Sequence, residues 1–185
     1  MKPIILASQS PRRQELLQLL DLPFTTVTSE VNESFDQALP PSEIVMSLAK
    51  RKAQAVFNHH PDAIVIGADT IVVHKNEILG KPKDAQEAFA MLKRLANDTH
   101  TVLTGVSMIS KEKEVTFYRK AEVRFSPLSD EEIDAYIKSG EPFDKAGAYA
   151  IQGRAAKFIE WIHGDFYTIV GLPVNALYHY LKKFQ

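Results

Sequence analysis

One carboxylate in this chain stands where carboxylates rarely stand. Asp69 lies within Ile64-Val65-Ile66-Gly67-Ala68-Asp69-Thr70-Ile71-Val72-Val73, a strand pattern that is apolar on both sides of it. A charge so placed is costly unless it is paired, bound to a metal or held at the mouth of the strand. Gly67 fits a bulge or a close backbone approach that aims Asp69 into a cleft. The plain alternative is a structural Asp bonded to a turn. A second group of interest is Ala7-Ser8-Gln9-Ser10-Pro11-Arg12-Arg13, where an apolar strand gives way to hydroxyls, a proline and two arginines. Ser10 followed by Pro11 reads as an N-cap and first helical residue. Backbone N–H groups at a helix start, joined by guanidinium forks, favour an anion and above all a phosphate. Cations in a first helical turn also oppose the helix dipole, a conflict that a bound anion removes. The alternative is a capped helix carrying solvated arginines.

Lysines extend this pattern. Lys52 falls among the apolar positions of its helix, where it either reaches a cleft or snorkels to water. Lys81 sits between Gly80 and Pro82, and Lys145 lies in Asp144-Lys145-Ala146-Gly147-Ala148-Tyr149. Any one of them is unremarkable on a surface. Together with Arg12 and Arg13, flanking an acidic strand, they suggest a triphosphate cradle. The Walker loop, the dinucleotide-binding GxGxxG, the HExxH zinc motif and the GxSxG elbow are absent. The six histidines have no ligand spacing, with His59 and His60 at a helix end and His100 opening a strand.

The elements that must carry these groups alternate. Ile4 to Ala7 reads as a buried strand, and Leu16, Leu17, Leu19 and Leu20 give the following helix its inner face. Phe24 to Thr28 is a short strand. A long helix opens at Pro40-Pro41-Ser42 and runs to about Asn58, with Ile44, Val45, Leu48, Ala49, Lys52 and Val56 at helical spacing. Ala63 to Val73 is the strongest strand signal, broken only by Gly67-Ala68-Asp69. An amphipathic helix covers Ala85 to Leu95. Val102 to Ile109 and Val115 to Phe125 are β-rich with a turn at Lys111-Glu112-Lys113. Ser129-Asp130-Glu131-Glu132 starts a capping box for a helix ending at Gly140. A glycine-containing loop spans Asp144 to Gly153, a strand Phe158 to Ile162, and a last helix Pro173 to Phe184. The class is α/β. No repeat or linker cuts residues 1–185, so they read as one domain.

Composition narrows the partners. With 22 Lys and Arg against 23 Asp and Glu, the formal charge of −1 argues against a dedicated nucleic-acid or membrane-surface protein. No cysteine is present, which excludes disulfides, a thiol nucleophile and Cys-ligated metals. Apolar runs are far shorter than the ~20 residues of a membrane span. The N-terminal run Pro3 to Ala7 is too short for a signal-peptide core. The expected setting is a soluble, cytoplasmic protein.

The motifs Leu6–Arg13, Gly67-Ala68-Asp69-Thr70, Gly80-Lys81-Pro82, Asp144–Gly153 and Gly171-Leu172-Pro173, in this order and over essentially the whole chain, resemble the Maf family. Proteins of that family are nucleoside triphosphate pyrophosphatases, once described as septum-formation inhibitors. The resemblance implies a two-lobed α/β fold related to the inosine triphosphatase type, with a mixed sheet flanked by helices, a central cleft and, usually, a homodimer. It implies hydrolysis of the α–β phosphoanhydride to a nucleoside monophosphate and pyrophosphate with a divalent cation, Mg²⁺ or Mn²⁺. By the family pattern Asp69 is the general base. Arg12, Thr70 and Gln152 match positions that bear on base selectivity. Ser8, Arg13, Lys52 and Lys81 match the phosphate-handling set, and Glu30 and Glu33 join Asp69 as metal-holding candidates. The form Ala148-Tyr149-Ala150-Ile151-Gln152-Gly153 resembles the branch acting on dTTP and UTP, whereas the 7-methyl-GTP branch differs there. Ala96-Asn97-Asp98 stands where the family often has a Ser-Gly turn, and Ala155 where Gly is frequent. The competing classes are a nucleotide-binding regulator without catalysis and a phosphatase releasing inorganic phosphate. An anionic Asp69 beside phosphate harms simple binding unless a metal or catalysis requires it, which favours the enzyme.

Overall fold

The computed structural model describes residues 1–185. Its elements are β1 (Ile4–Leu6), α1 (Pro11–Gln18), β2 (Phe24–Thr26), α2 (Pro41–Phe57), β3 (Ile64–His74), β4 (Glu77–Leu79), α3 (Ala85–Leu95), β5 (Thr99–Ile109), β6 (Glu114–Phe125), α4 (Asp130–Lys138), β7 (Ile159–Gly164), α5 (Phe166–Val170) and α6 (Val174–Leu181). Short 3₁₀ turns occupy Glu141–Asp144, Ala146–Ala148 and Arg154–Phe158. The strands form a seven-stranded sheet in the order β2-β1-β3-β5-β6-β7, with β4 paired to β3. β1 is parallel to both β2 and β3, whereas β4 runs antiparallel to β3 and β7 to β6. The sheet is therefore mixed and the class α/β, as the alternation of the sequence predicts.

The chain divides into two compact units, and the division falls within β3, β5 and β6. The first comprises Met1–Thr70, Thr104–Arg119 and Gly171–Gln185. Its core includes Ile5, Ala7, Ala53, Val56, Ala63, Val65 and Ile109. α2 buries Ile44, Val45, Leu48, Ala49 and Val56 of the stripe anticipated from its spacing, together with Ala53, while Lys52 of that stripe is half-buried. A Cβ on Gly67 would stand 2.4 Å from the Ala49 carbonyl oxygen and 2.7 Å from the Ala53 nitrogen. One on Gly105 would stand 2.4 Å from the Val45 carbonyl oxygen. Both glycines thus let β3 and β5 meet the backbone of α2.

The second unit comprises Ile71–Leu103 and Lys120–Val170. α3 and α4 place Ala88, Leu92, Leu95, Ile133, Tyr136 and Ile137 in its core with Val123, Phe125, Tyr149 and Phe158. The capping box at Ser129 and Glu132 is formed, each side chain bonding the other's backbone N–H. Asn97 takes the left-handed conformation, φ 55°, that the Ala96-Asn97-Asp98 sequence requires in place of a glycine.

Several boundaries differ from the sequence pattern. β3 runs unbroken through Gly67-Ala68-Asp69, because Gly67 serves helix contact rather than interruption. The hairpin to β4 turns on Lys75 and Asn76, both with positive φ, a two-residue turn of the kind that matches strand twist. α5, only five residues long, carries no periodic signal in the sequence. β5 begins at Thr99, earlier than its apolar run, because His100 is buried within it.

Candidate active site

Asp69 and Lys52 meet in the first unit. Lys52 Nζ donates to Asp69 Oδ1 at 2.7 Å, and both side chains are only 14% exposed. The meeting follows from the Gly67 contact. Gly67 and Asp69 share one face of β3, two residues apart, and Ala49 and Ala53 of α2 flank Lys52. Once α2 lies against Gly67, the lysine on its inner stripe reaches the carboxylate farther along the strand. The same Nζ lies 3.0 Å from Glu33 Oε1, so one ammonium bridges two carboxylates. Arg51, the residue before Lys52, holds the segment that carries Glu33. Its Nη1 donates to the Asn32 and Ser34 carbonyls at 2.8 and 2.6 Å. Glu30 on that segment is exposed. No group of three or more His, Asp or Glu side chains converges as a cation site, so Glu30, Glu33 and Asp69 do not form a ready-made trio. The ammonium of Lys52 stands between the latter two.

The β1–α1 turn is built as the sequence suggests. Ser10 caps α1, its Oγ accepting from Arg13 N at 3.3 Å, with Pro11 in the first helical position. Ser8 Oγ accepts from Ser10 N at 3.1 Å, which folds the turn on itself. Ser29 donates to the Ala7 carbonyl and Gln9 to Thr28, pinning the turn to the segment after β2. Arg12 is half-buried. Arg13 Nε donates to the Gly171 carbonyl at 2.8 Å and its Nη2 to Thr70 Oγ1 at 3.0 Å. Gly171 presents that carbonyl from a backbone at φ 132°, which a side chain would rarely allow. Thr70 in turn bonds Thr104 at 2.8 Å. Burial draws the Arg13 guanidinium below its ordinary pKa, and the Asp69 charge opposes that shift. Arg13 thus commits two of its five donors to Gly-Leu-Pro and Gly-Ala-Asp-Thr motifs that lie far apart in sequence. The phosphate-handling assignment has only its other donors to draw on.

Lys81 and Gln152 belong to the second unit, and their motifs touch there. Gly147 N donates to the Gly80 carbonyl at 3.1 Å, joining the Gly-Lys-Pro turn to the loop 144–153. Lys81 and Gln152 are both exposed. Lys145 Nζ donates to the Glu141 carbonyl at 3.0 Å and to Asp144 at 2.7 Å, closing its own loop. Beneath the loop, buried Tyr149 meets His100 Nε2 at 2.6 Å. Burial raises the Tyr149 pKa above its usual value and lowers that of His100 to about 3.

Sequence reasoning missed Arg51, Thr104, Tyr136, Glu141 and His74. His74 is buried and accepts from Arg94 Nε on Nδ1 while its Nε2 faces Asp98 at 2.8 Å, which fixes the tautomer with the proton on Nε2. A buried histidine in a strand closed by Arg94 and Asp98 has no local signature, because its partners come from other elements. Arg51 could have been noticed, since it adjoins Lys52 on a helix that follows the acidic segment.

A family model described as "Maf-like protein" matches residues 3–184. The chain is 55% identical over 185 residues to a protein of Bacillus cytotoxicus named dTTP/UTP pyrophosphatase, covering 100% of this chain and 97% of that one. It is 54% identical, with the same coverage, to one of that name from Bacillus mycoides. Among solved structures, the Staphylococcus aureus Ham1 protein aligns over 100% of both chains with a TM-score of 0.55 at 14% identity, a likeness of fold.

Proposed function

This chain belongs to the Maf family, and from that premise we propose that it hydrolyses dTTP and UTP at the α–β phosphoanhydride, releasing nucleoside monophosphate and pyrophosphate. The observation that carries the reading is the part-buried pair of Asp69 and Lys52 at 2.7 Å, with Asp69 set in a largely apolar strand. A carboxylate kept there against its desolvation penalty has a use beyond folding. Attack by water on the α-phosphorus forms one P–O bond and breaks the bond from that phosphorus to the bridging oxygen, which leaves with pyrophosphate, and the water's proton passes to Asp69. Asp69 orients that water. Lys52, Arg12, Arg13, Ser8 and Lys81, with the N–H groups opening α1, balance the charge of the leaving pyrophosphate.

A carboxylate of pKa about 3.9 facing water at about 15.7 leaves roughly 12 units, or about 16 kcal/mol, more than positioning supplies. The donor set fits a hard divalent cation, Mg²⁺ or Mn²⁺. Asp69 and Glu33 already converge on one cation, and such metals commonly take one or two carboxylates plus substrate phosphates. When bound, that cation would acidify water and screen the phosphates. Gln152, exposed on its loop, offers both a donor and an acceptor suited to O4 and N3–H of uracil or thymine. Thr70 and Arg12 complete the proposed selectivity group. Assembly as a homodimer and residence in the cytoplasm belong to the same reading. No helix is long and apolar enough to cross a membrane.

The test is product identification with dTTP, UTP, CTP and 7-methyl-GTP in Mg²⁺ or Mn²⁺, before and after chelation, with Asp69→Asn beside the natural chain. The expected result is pyrophosphate and monophosphate from dTTP and UTP, abolished by chelation. In Asp69→Asn, turnover should fall by about 10²–10⁴-fold, the range for a lost general base. Inorganic phosphate as product, or nucleotide binding without turnover, overturns the proposal.

A further inference from the structure

Gln152 is exposed, yet the backbone on both sides of it is tied down by a buried tyrosine of α4 and a half-buried glutamate of the turn that follows. Tyr136, on the last turn of α4, is 3% exposed. Its hydroxyl donates to Glu141 Oε2 and accepts from Ala150 N at 3.3 Å. The other oxygen of the same carboxylate, Oε1, accepts from Arg154 N at 3.1 Å. One tyrosine–glutamate pair therefore clamps the chain two residues before Gln152 and two residues after it. Gly153 fits the clamp closely. A Cβ there would lie 2.0 Å from Glu141 Oε1 and 2.4 Å from its Cδ, at a backbone φ of −103° that any residue accepts. The glycine is needed for the space the carboxylate fills, not for its conformation.

The clamp is itself anchored. Ser129 and Glu132 cap α4, Ser139 Oγ donates to the Tyr136 carbonyl at 2.6 Å, and Lys145 holds the Glu141 carbonyl. Tyr136 also packs edge-on against Phe158 in the core. Neither Tyr136 nor Glu141 belongs to the residues assigned to substrate above.

We propose that Tyr136 and Glu141 are positioning residues for pyrimidine selectivity, fixing the Gln152 backbone so that its carboxamide can read the base. The inference rests on the reading of Gln152 as the base-sensing residue. Loss of the clamp leaves the phosphate-handling residues of the first unit in place, so it acts on discrimination more than on turnover of the preferred substrate.

The experiment compares Tyr136→Phe, Gly153→Ala and Gln152→Ala with the natural chain, measuring kcat and KM for UTP and CTP and the thermal midpoint of each. Tyr136→Phe keeps the ring and removes the hydroxyl. Gly153→Ala keeps the backbone and displaces the carboxylate from beneath the loop. Both should reduce the UTP-to-CTP ratio of kcat/KM by on the order of fivefold, the scale of one neutral hydrogen bond, mainly through KM for UTP. Gln152→Ala should reduce the ratio at least as far, and combining it with Tyr136→Phe should add little. A ratio that falls in Gln152→Ala but stays at its natural value in folded Tyr136→Phe and Gly153→Ala overturns the clamp alone. A ratio unmoved by Gln152→Ala overturns the reading beneath it as well. Should one clamp variant fail to fold, the other decides.

Discussion

An ammonium lying against a carboxylate either neutralises it for the sake of the fold or aligns it for work, and Lys52 can be tested for the difference. Its Nζ is shared by Asp69 at 2.7 Å and Glu33 at 3.0 Å. Removing it leaves two carboxylates converging with no cation between them, a like-charge pairing that raises the energy of both. On the proposed mechanism Lys52 also faces developing charge on the leaving group. Lys52→Ala should therefore lower kcat by on the order of 10²-fold, comparable to loss of one preorganised donor. Steady-state assay of pyrophosphate release checks this. A variant that keeps its turnover but melts earlier would mark Lys52 as a structural counter-ion. Lys52→Arg is informative beside it, since the guanidinium restores the charge but not the compact point contact.

Elements place these residues through backbone contacts more than through side-chain bonds. Gly67→Ala forces a methyl to within 2.4 Å of the Ala49 carbonyl oxygen, a backbone atom that cannot swing aside. α2 must shift, which should cost about 1–3 kcal/mol, typical of overpacking, and should lengthen the Lys52–Asp69 contact. Urea unfolding reads the first effect and kcat the second, so Gly67→Ala should lose both together. This contact also explains what the sequence could disclose. Asp69 stood out because a charge in an apolar strand contradicts its surroundings, and Lys52 because it breaks an apolar helical stripe. Each is a conflict visible within one element. The reason for Gly67 was half visible, as a close approach, while the identity of the approaching helix was not. Tyr136, Glu141 and His74 raised no conflict locally, since a tyrosine on an amphipathic helix suits its element. Their roles arise only from partners distant in sequence, such as Tyr136 with Ala150 or His74 with Asp98. The short α5 and the Lys75-Asn76 hairpin were missed for a different reason: one is too short for periodicity, and the other lacks the Gly that usually marks such turns.

For the whole molecule, acid should be more damaging than the even balance of charges suggests. His100 is 2% exposed, its Nε2 is engaged by Tyr149, and its Nδ1 is buried without a partner among the protein's atoms. A second N–H on that ring would have nothing to bond. Burial lowers its pKa from 6.5 to about 3, while the Asp98 charge works weakly the other way. The sign follows from which state takes up the proton. Below pH 6.5 the unfolded chain protonates this histidine and the folded chain does not, so the unfolded state gains. Folded stability is complete above about pH 6.5 and is lost progressively as pH falls toward 3, by about 1.4 kcal/mol per pH unit from this one group. Asp98, held down to about 2 chiefly by its hydrogen bond from His74, adds a loss of the same sign only below the ordinary carboxylate range. Between pH 6 and pH 4.5, therefore, His100 should dominate. Urea unfolding across that interval should show a steep fall for the natural chain and a shallower one, by close to one proton, for His100→Gln, which keeps a partner for the Tyr149 hydroxyl. Parallel slopes would mean that the ring takes up its proton without unfolding. The loop over Tyr149, the one that carries Gln152, would then have to open in mild acid, and turnover would be lost there before the fold is.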